Sequence, residues 1–189
     1  MVAQPDRPHW SVDQYLELER FSSVRHEYID GQVLAMAGGT TAHGVIAANL
    51  IALLRPALRG GRCRIFPSDT KVRLISSRYL YPDVSVSCDP RDRVSEDSEY
   101  IGYPCLVIEV LSQSTAAYDR GGKFALYQDL RTLADYVLID QARMAAEVRS
   151  RQADGSWTVS AFGAGEDVYL GSLDLSLPLS GIYEDVEVS

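Results

Sequence analysis

The chain predicts a mixed α/β fold, and three features of its 189 residues predict it. Short apolar and β-branched runs recur between turn signals, two longer stretches carry apolar residues at helical spacing, and an Asp-Gly hairpin turn stands near each end. No linker, repeat or low-complexity tract divides these elements, so residues 1–189 read as a single domain.

The elements follow in order. Ser11 can cap a short helix reaching Glu19, with Tyr15, Leu16 and Leu18 as its apolar contacts. His26–Ile29 and Gln32–Met36 flank Asp30-Gly31, a dipeptide that favours the positive backbone angles of a tight hairpin turn. From Thr41 to Leu58 the residues Val45, Ile46, Leu50, Ile51, Leu53, Leu54 and Leu58 mark a buried helix capped by Thr40 or Thr41, with Pro56 able to kink it or end it near Leu54. Strands are expected at Cys63–Phe66, Thr70–Ile75 and Leu80–Ser87, then a charged surface loop from Asp89 to Tyr100. Pro104 opens a strand that ends at Ser112, Ala117–Leu130 forms a second helix, and Tyr136–Ile139 a further strand. Ala146–Arg149 and Trp157–Phe162 flank Asp154-Gly155 as a second hairpin, and short strands run on to Val186.

Composition excludes some roles. A net charge of −8 and a pI near 4.8 argue against a general nucleic-acid coat, whose affinity comes from cations that neutralise phosphates. The cations are uneven: Arg55, Arg59, Arg62, Arg64, Lys71, Arg73 and Arg78 fall close together, a pattern that suits a solvated face as well as a groove. Cys63, Cys88 and Cys105 are odd in number and far apart, neither a complete disulfide set nor a zinc-ligand spacing, and imply a reducing compartment. No signal peptide is legible, and no segment approaches a membrane span of about 18 apolar residues. The expectation is a soluble cytoplasmic protein.

One residue breaks the pattern. Glu109 sits at the centre of Leu106-Val107-Ile108-Glu109-Val110-Leu111, a run fit for a buried strand. Either it faces a solvated side, or its charge is met by a proton, a cation or a metal, because an unpartnered buried carboxylate costs several kcal/mol. Pro82-Asp83, Glu109 and Lys123 place two carboxylates and an ammonium on successive elements. A divalent cation relieves the repulsion of two neighbouring carboxylates, and an oxygen-rich set suits Mg²⁺ or Mn²⁺. Taken alone, Asp83 reads as a turn residue after Pro82, Glu27 as a cross-strand partner of Arg25, and His43 as a capping or packing group. Lys71 and Asp69 read as surface ion-pairing residues, and Tyr127 as packing.

Several stretches, in order, are specific as a set: Arg25-His26-Glu27-Tyr28-Ile29-Asp30-Gly31, Ala42-His43, Tyr81-Pro82-Asp83-Val84-Ser85-Val86, Val107 to Thr115, Tyr118-Asp119-Arg120-Gly121-Gly122-Lys123-Phe124, and Tyr136-Val137-Leu138-Ile139. In these the chain resembles, over nearly its whole length, the Uma2 (DUF820) family of endonuclease-like proteins in the PD-(D/E)XK nuclease superfamily. The resemblance implies a restriction-endonuclease-like core, a mixed sheet flanked by helices with extra terminal hairpins. It implies Asp83, Glu109 and Glu27 as ligands of Mg²⁺ or Mn²⁺, Lys123 as the group that orients water and stabilises charge, His43 as a possible accessory, and DNA as the substrate. The parent pattern keeps its lysine two residues after the Glu, where this chain has Leu111; the resemblance moves that role to Lys123 on the following helix, whose long stem can reach the strand. Three functions stay open: a metal-dependent endonuclease, a catalytically silent relative that binds nucleic acid or a protein, and a phosphatase-like hydrolase of a small substrate. A homodimer is expected from the common two-fold symmetry of soluble oligomers.

Overall fold

The computed structural model describes residues 8–36, 38–92 and 98–188. Near its start Ser11 caps α1 (Val12–Phe21): its hydroxyl accepts the Gln14 N–H at 3.2 Å while the Gln14 side chain accepts the Ser11 N–H at 2.9 Å. This reciprocal box satisfies two amide groups that the first turn would leave bare. β1 (His26–Ile29) and β2 (Gln32–Ala35) form the expected hairpin, and the turn pair Asp30 and Gly31 has φ of 47° and 91°. Positive φ at both central residues matches the twist of the flanking strands, which is why Asp-Gly marks the site so clearly. α1 lies over this hairpin through Tyr15, whose ring stacks on Tyr28 at 5.0 Å.

α2 (Thr41–Leu58) is capped by Thr40, whose hydroxyl accepts the His43 N–H at 3.2 Å, and it runs through Pro56 without ending at Leu54. By length and a mean hydropathy of 1.3 this helix is apolar enough to cross a membrane, contrary to the expectation that no segment comes close. Ile46, Leu50 and Leu54 face inward and pack on Val84, Val86, Leu106, Ile108 and Ile139.

Those residues belong to a mixed six-stranded sheet in the order β11-β10-β9-β8-β6-β3. Its strands are β3 (Arg64–Pro67), β6 (Val84–Ser87), β8 (Leu106–Leu111), β9 (Asp135–Asp140), β10 (Ala145–Arg151) and β11 (Trp157–Gly163). β8 pairs antiparallel with β6 and parallel with β9, and all six of its residues are buried. A central strand covered on both faces needs a continuous apolar run, which is what its sequence supplies. A second, five-stranded sheet has the order β2-β1-β5-β4-β7, with β4 (Lys71–Ile75), β5 (Arg78–Leu80) and β7 (Tyr100–Ile101).

Four expectations change. The single strand Leu80–Ser87 is two strands, β5 and β6, in different sheets. Pro82 cannot donate to a ladder, so the chain leaves one sheet at Leu80 and enters the other at Val84. The helix Ala117–Leu130 is α3 (Ala116–Tyr118), a π-turn (Asp119–Lys123) and α4 (Phe124–Tyr127). Gly121-Gly122, the weakest helix formers short of proline, lie inside that widened turn. At the C-terminal end β12 (Asp167–Leu170) and β13 (Leu175–Pro178) are followed by a helical turn, α5 (Leu179–Ile182), in place of another strand. Finally, Cys63 and Cys88 are disulfide-bonded, with Cys105 Sγ 3.7 Å from Cys88 Sγ. The register Arg64↔Ser87 between β3 and β6 brings the flanking cysteines opposite each other, which spacing along the chain could not show. Residues 93–97 of the expected surface loop lie outside the described residues.

Candidate active site

Strand alternation decides where Glu109 points. Leu106, Ile108 and Val110 of β8 face α2, so Val107, Glu109 and Leu111 face the opposite layer, with Tyr127, Leu133 and Tyr136. Glu109 is only 3% exposed, which removes the solvated-face reading. Its charge is met by Lys123: Glu109 Oε1 lies 2.9 Å from Lys123 Nζ.

Lys123 enters from the π-turn and is itself buried. Its ammonium also lies 3.3 Å from Glu27 Oε1 and donates to the Tyr81 carbonyl at 3.3 Å. The helical lysine therefore reaches the strand that carries Glu109, as the displaced position in the sequence requires. Burial works against the Lys123 charge, but Glu109 and Glu27 more than offset it and hold the ammonium above the ordinary lysine value. Burial likewise pushes the Glu109 carboxyl well up, against the pull of Lys123.

Glu27 points inward from β1, where alternation alone left its side open. Its Oε1 accepts the Tyr81 N–H at 3.4 Å, and Arg25 turns away to Asp69 at 3.7 Å. Tyr81 stands at the crossing between the two sheets and ties the site to α1, since its hydroxyl donates to the buried Glu19 at 2.6 Å. Glu19 also accepts the His26 N–H at 3.1 Å and contacts His26 Nδ1 at 2.8 Å.

Asp83 is delivered by the break after Pro82. Its Oδ2 accepts the Val110 N–H at 2.7 Å and its Oδ1 accepts from His43 Nε2 at 2.9 Å. The first of these bonds is far from a turn residue's local bonding: it fixes Asp83 beside the strand residue that follows Glu109. His43 keeps its place near the helix start but spends its ring on Asp83, leaving Nδ1 buried and without a hydrogen bond. The Asp83 hydrogen bond raises the His43 pKa above 6.5, with burial opposing it. The imidazolium–carboxylate contact therefore stabilises the fold fully below the unfolded-state value and is lost as pH rises through the higher folded-state value. NMR titration of the ring is expected to give a value above 6.5 that drops back in Asp83→Asn; an unchanged value in that variant would dissolve the dyad.

Sequence reasoning passed over Asp119. It is 4% exposed and its charge is felt by Lys123, His43, Glu109 and Tyr118. The usable signal was its place four residues before Lys123, one turn back on the same helix. Burial raises its pKa, against the pull of Lys123. Lys71, expected at the surface with Asp69, is instead nearly buried, and burial lowers its pKa. Tyr127 packs as expected, with its ring 5.5 Å from Tyr136, and burial, with the charges of Glu109 and Glu27 nearby, pushes its phenol well above the ordinary value.

Asp83, Glu109, Glu27 and Asp119 thus stand against one ammonium and one imidazole. Among the described residues no three His, Cys, Asp or Glu side chains converge as a ready metal cage. The donor chemistry nonetheless fits a hard cation: the acids are oxygen donors in excess over cations, and Mg²⁺ keeps several waters while bound by one or two carboxylates. A concavity of about 860 Å³, lined among others by Trp10, Leu18 and Phe21, lies along α1 and includes none of these residues.

Comparison with known proteins bears on the family and the fold. The family model Uma2, described as "Putative restriction endonuclease", matches residues 12–180. The chain is 44% identical over 177 residues to "Uncharacterized protein slr1290" of Synechocystis sp. (strain ATCC 27184 / PCC 6803 / Kazusa), covering 93% of this chain and 92% of that protein. It is 30% identical over 148 residues to "Uncharacterized protein sll1609" of the same organism, covering 78% and 84%. Its fold matches a crystal structure described as "a putative nuclease belonging to DUF820" from Anabaena variabilis ATCC 29413, with a TM-score of 0.76, 17% identity, and coverage of 93% of this chain and 98% of that one.

Proposed function

The chain belongs to the Uma2 family, and on that premise we propose that it is a metal-dependent endonuclease that hydrolyses phosphodiester bonds of DNA. The observation that carries this reading is the meeting of Asp83, just before β6, and Glu109, on the paired strand β8, with Lys123 from the π-turn, in a site where acids outnumber cations. Asp83 and Glu109, with Glu27 behind them, would hold Mg²⁺ or Mn²⁺. When bound, such a cation supplies a water of lowered pKa and polarises the scissile phosphate.

The chain's own residues do the rest. Lys123, fixed by three oxygen partners, presents a permanent positive charge that orients the attacking water and offsets charge developing on the phosphate oxygens. Val110 N–H holds Asp83 in place from the strand behind it, and His43 shares its outer oxygen. Burial of Glu109 and Lys123 keeps bulk water from weakening these interactions. The edge strand β11, seven residues without a charged side chain at the rim of the larger sheet, offers a backbone edge to a second copy. A homodimer belongs to the proposal, and sedimentation that finds monomer alone at high concentration would remove it.

The test is cleavage of supercoiled plasmid and of single-stranded DNA with Mg²⁺ or Mn²⁺, beside Asp83→Asn prepared identically. Cleavage by the wild type, lost on chelation and in the variant, is the expected result. A folded wild type that binds Mn²⁺ and cleaves neither substrate would overturn it in favour of a silent binding protein or another phosphate substrate.

A further inference from the structure

The π-turn is held in place from outside the helix. The Asp119 carbonyl accepts the Tyr136 hydroxyl of β9 at 2.9 Å, and the next carbonyl, of Arg120, accepts Arg149 Nη1 of β10 at 2.7 Å. Meanwhile the Phe124 N–H turns back to the Gly121 carbonyl. Two neighbouring strands thus bond to the backbone on one side of a turn whose buried residues are Asp119 and Lys123. Such widened turns are uncommon and often mark functional sites, because they change which side chains share a face.

Lys123 is accounted for by its three oxygen partners; Asp119 is not. Its side-chain hydrogen bond comes from Thr115, on its own helical turn, and no cation touches it among the ion pairs of the described residues. Yet the carboxylate is 4% exposed and lies in the field of Asp83 and Glu27 as well as Lys123. A buried acid held among other acids is costly unless it has a task or a ligand. The seat of Lys123 is already filled, so tethering the ammonium is not that task.

We infer that Asp119 is the fourth carboxylate of the site and the acceptor of the attacking water's proton. This inference rests on the nuclease reading for its chemistry but not for its geometry. The water oxygen forms the new bond to phosphorus as one of its protons passes to an Asp119 oxygen. The phosphorus–oxygen bond to the leaving sugar oxygen breaks with its electron pair, and that oxygen takes a proton from solvent water. Asp119 then returns its own proton to solvent. The charges that bear on its proton affinity are Lys123, Asp83, Glu27, Glu109 and His43, with the Tyr118 phenol next to it in the chain.

Asp119→Asn keeps the shape and the Thr115 contact while removing charge and proton acceptance. Two readouts are taken on the full chain: Mn²⁺ binding by titration, and single-turnover cleavage as a function of pH. Asp154→Asn, in an exposed hairpin turn, is the control. The expected results for Asp119→Asn are Mn²⁺ binding weakened about fivefold by loss of one nearby negative charge, and cleavage slowed at least about 100-fold with loss of the acid limb of the pH profile. Mn²⁺ affinity and cleavage both unchanged would overturn the inference and leave the nuclease reading standing. A wild type that never cleaves, with Mn²⁺ binding still weakened in Asp119→Asn, would overturn the proton-acceptor role together with that reading and keep Asp119 in the site. Should the Asn variant fail to fold, Asp119→Glu keeps the charge and displaces the oxygen; normal Mn²⁺ affinity with slowed cleavage supports the role, and full cleavage counts against it.

Discussion

Replacing Lys123 by methionine is expected to abolish cleavage and to lower folding stability by about 3–5 kcal/mol, the usual cost of stripping one partner from a buried ion pair. The side chain of Lys123 is 7% exposed and those of its partners Glu27 and Glu109 are 9% and 4% exposed, so neither acid can turn to water for relief. Methionine fills much of the same volume, which leaves the missing charge as the cause. Against a total stability of about 5–15 kcal/mol for a domain of this kind the loss is large enough to read by urea unfolding. Its pH dependence has a definite sign. Burial already raises the Glu109 pKa, and without Lys123 that pKa climbs further. The penalty is therefore greatest at neutral pH and shrinks as pH falls and the buried carboxyls take up protons. Adding Glu109→Gln to Lys123→Met should restore part of the stability at pH 7 and none of the cleavage. A single variant within about 1 kcal/mol of wild type would show the pair to be solvated, as surface pairs are.

Local chemistry made much of this fold legible. Asp30 and Gly31 in the first turn, and Gly155 in the second, take the positive backbone angles that their residue types accept more readily than most, so both hairpins could be placed by turn chemistry alone. α2 was readable from the spacing of Ile46, Leu50 and Leu54, and β8 from its unbroken apolar run. What stayed hidden depends on partners distant in the chain. The stretch from Leu80 to Ser87 is rich in strand formers throughout, and only the existence of two sheets turns Pro82 from an irregularity into a crossing point. The Cys63–Cys88 bond follows from the β3–β6 register, and the inward turn of Glu27 from what packs on β1. The π-turn is fixed by Tyr136 and Arg149, which come from strands after it. Of the buried cluster, the residues set apart by an improbable setting could be singled out in advance: a carboxylate within a buried run, a lysine on the next helix. Asp119 was missed because an acid on a helix beside glycines looks like any solvated residue until the turn is seen to face inward.

Glu109→Gln is expected to behave in the opposite way to Lys123→Met: it should keep or raise stability while cutting cleavage by about 100-fold to 1,000-fold, the range seen when an electrostatic stabiliser is removed from an active site. The asymmetry comes from what each change leaves behind. Without the Glu109 charge, Lys123 still has Glu27 at 3.3 Å and the Tyr81 carbonyl at 3.3 Å, so no buried ion is orphaned. The glutamine also removes a group whose ionised form the fold disfavours, since burial is the largest influence on its pKa and raises it. An acid with a folded-state pKa above its unfolded-state value subtracts stability at neutral pH, and that subtraction disappears as pH falls below the unfolded value. The variant should therefore be more stable than wild type at pH 7, by on the order of 1 kcal/mol, with the two converging in acid. Thermal unfolding at several pH values, run beside the cleavage assay, separates the outcomes. A variant less stable than wild type at pH 7 would mean that Lys123 gains more from Glu109 than burial costs, making the pair a structural clamp. A variant that is more stable and inactive would mean that the fold tolerates an unfavourable charge at the centre of its core strand because the chemistry requires it.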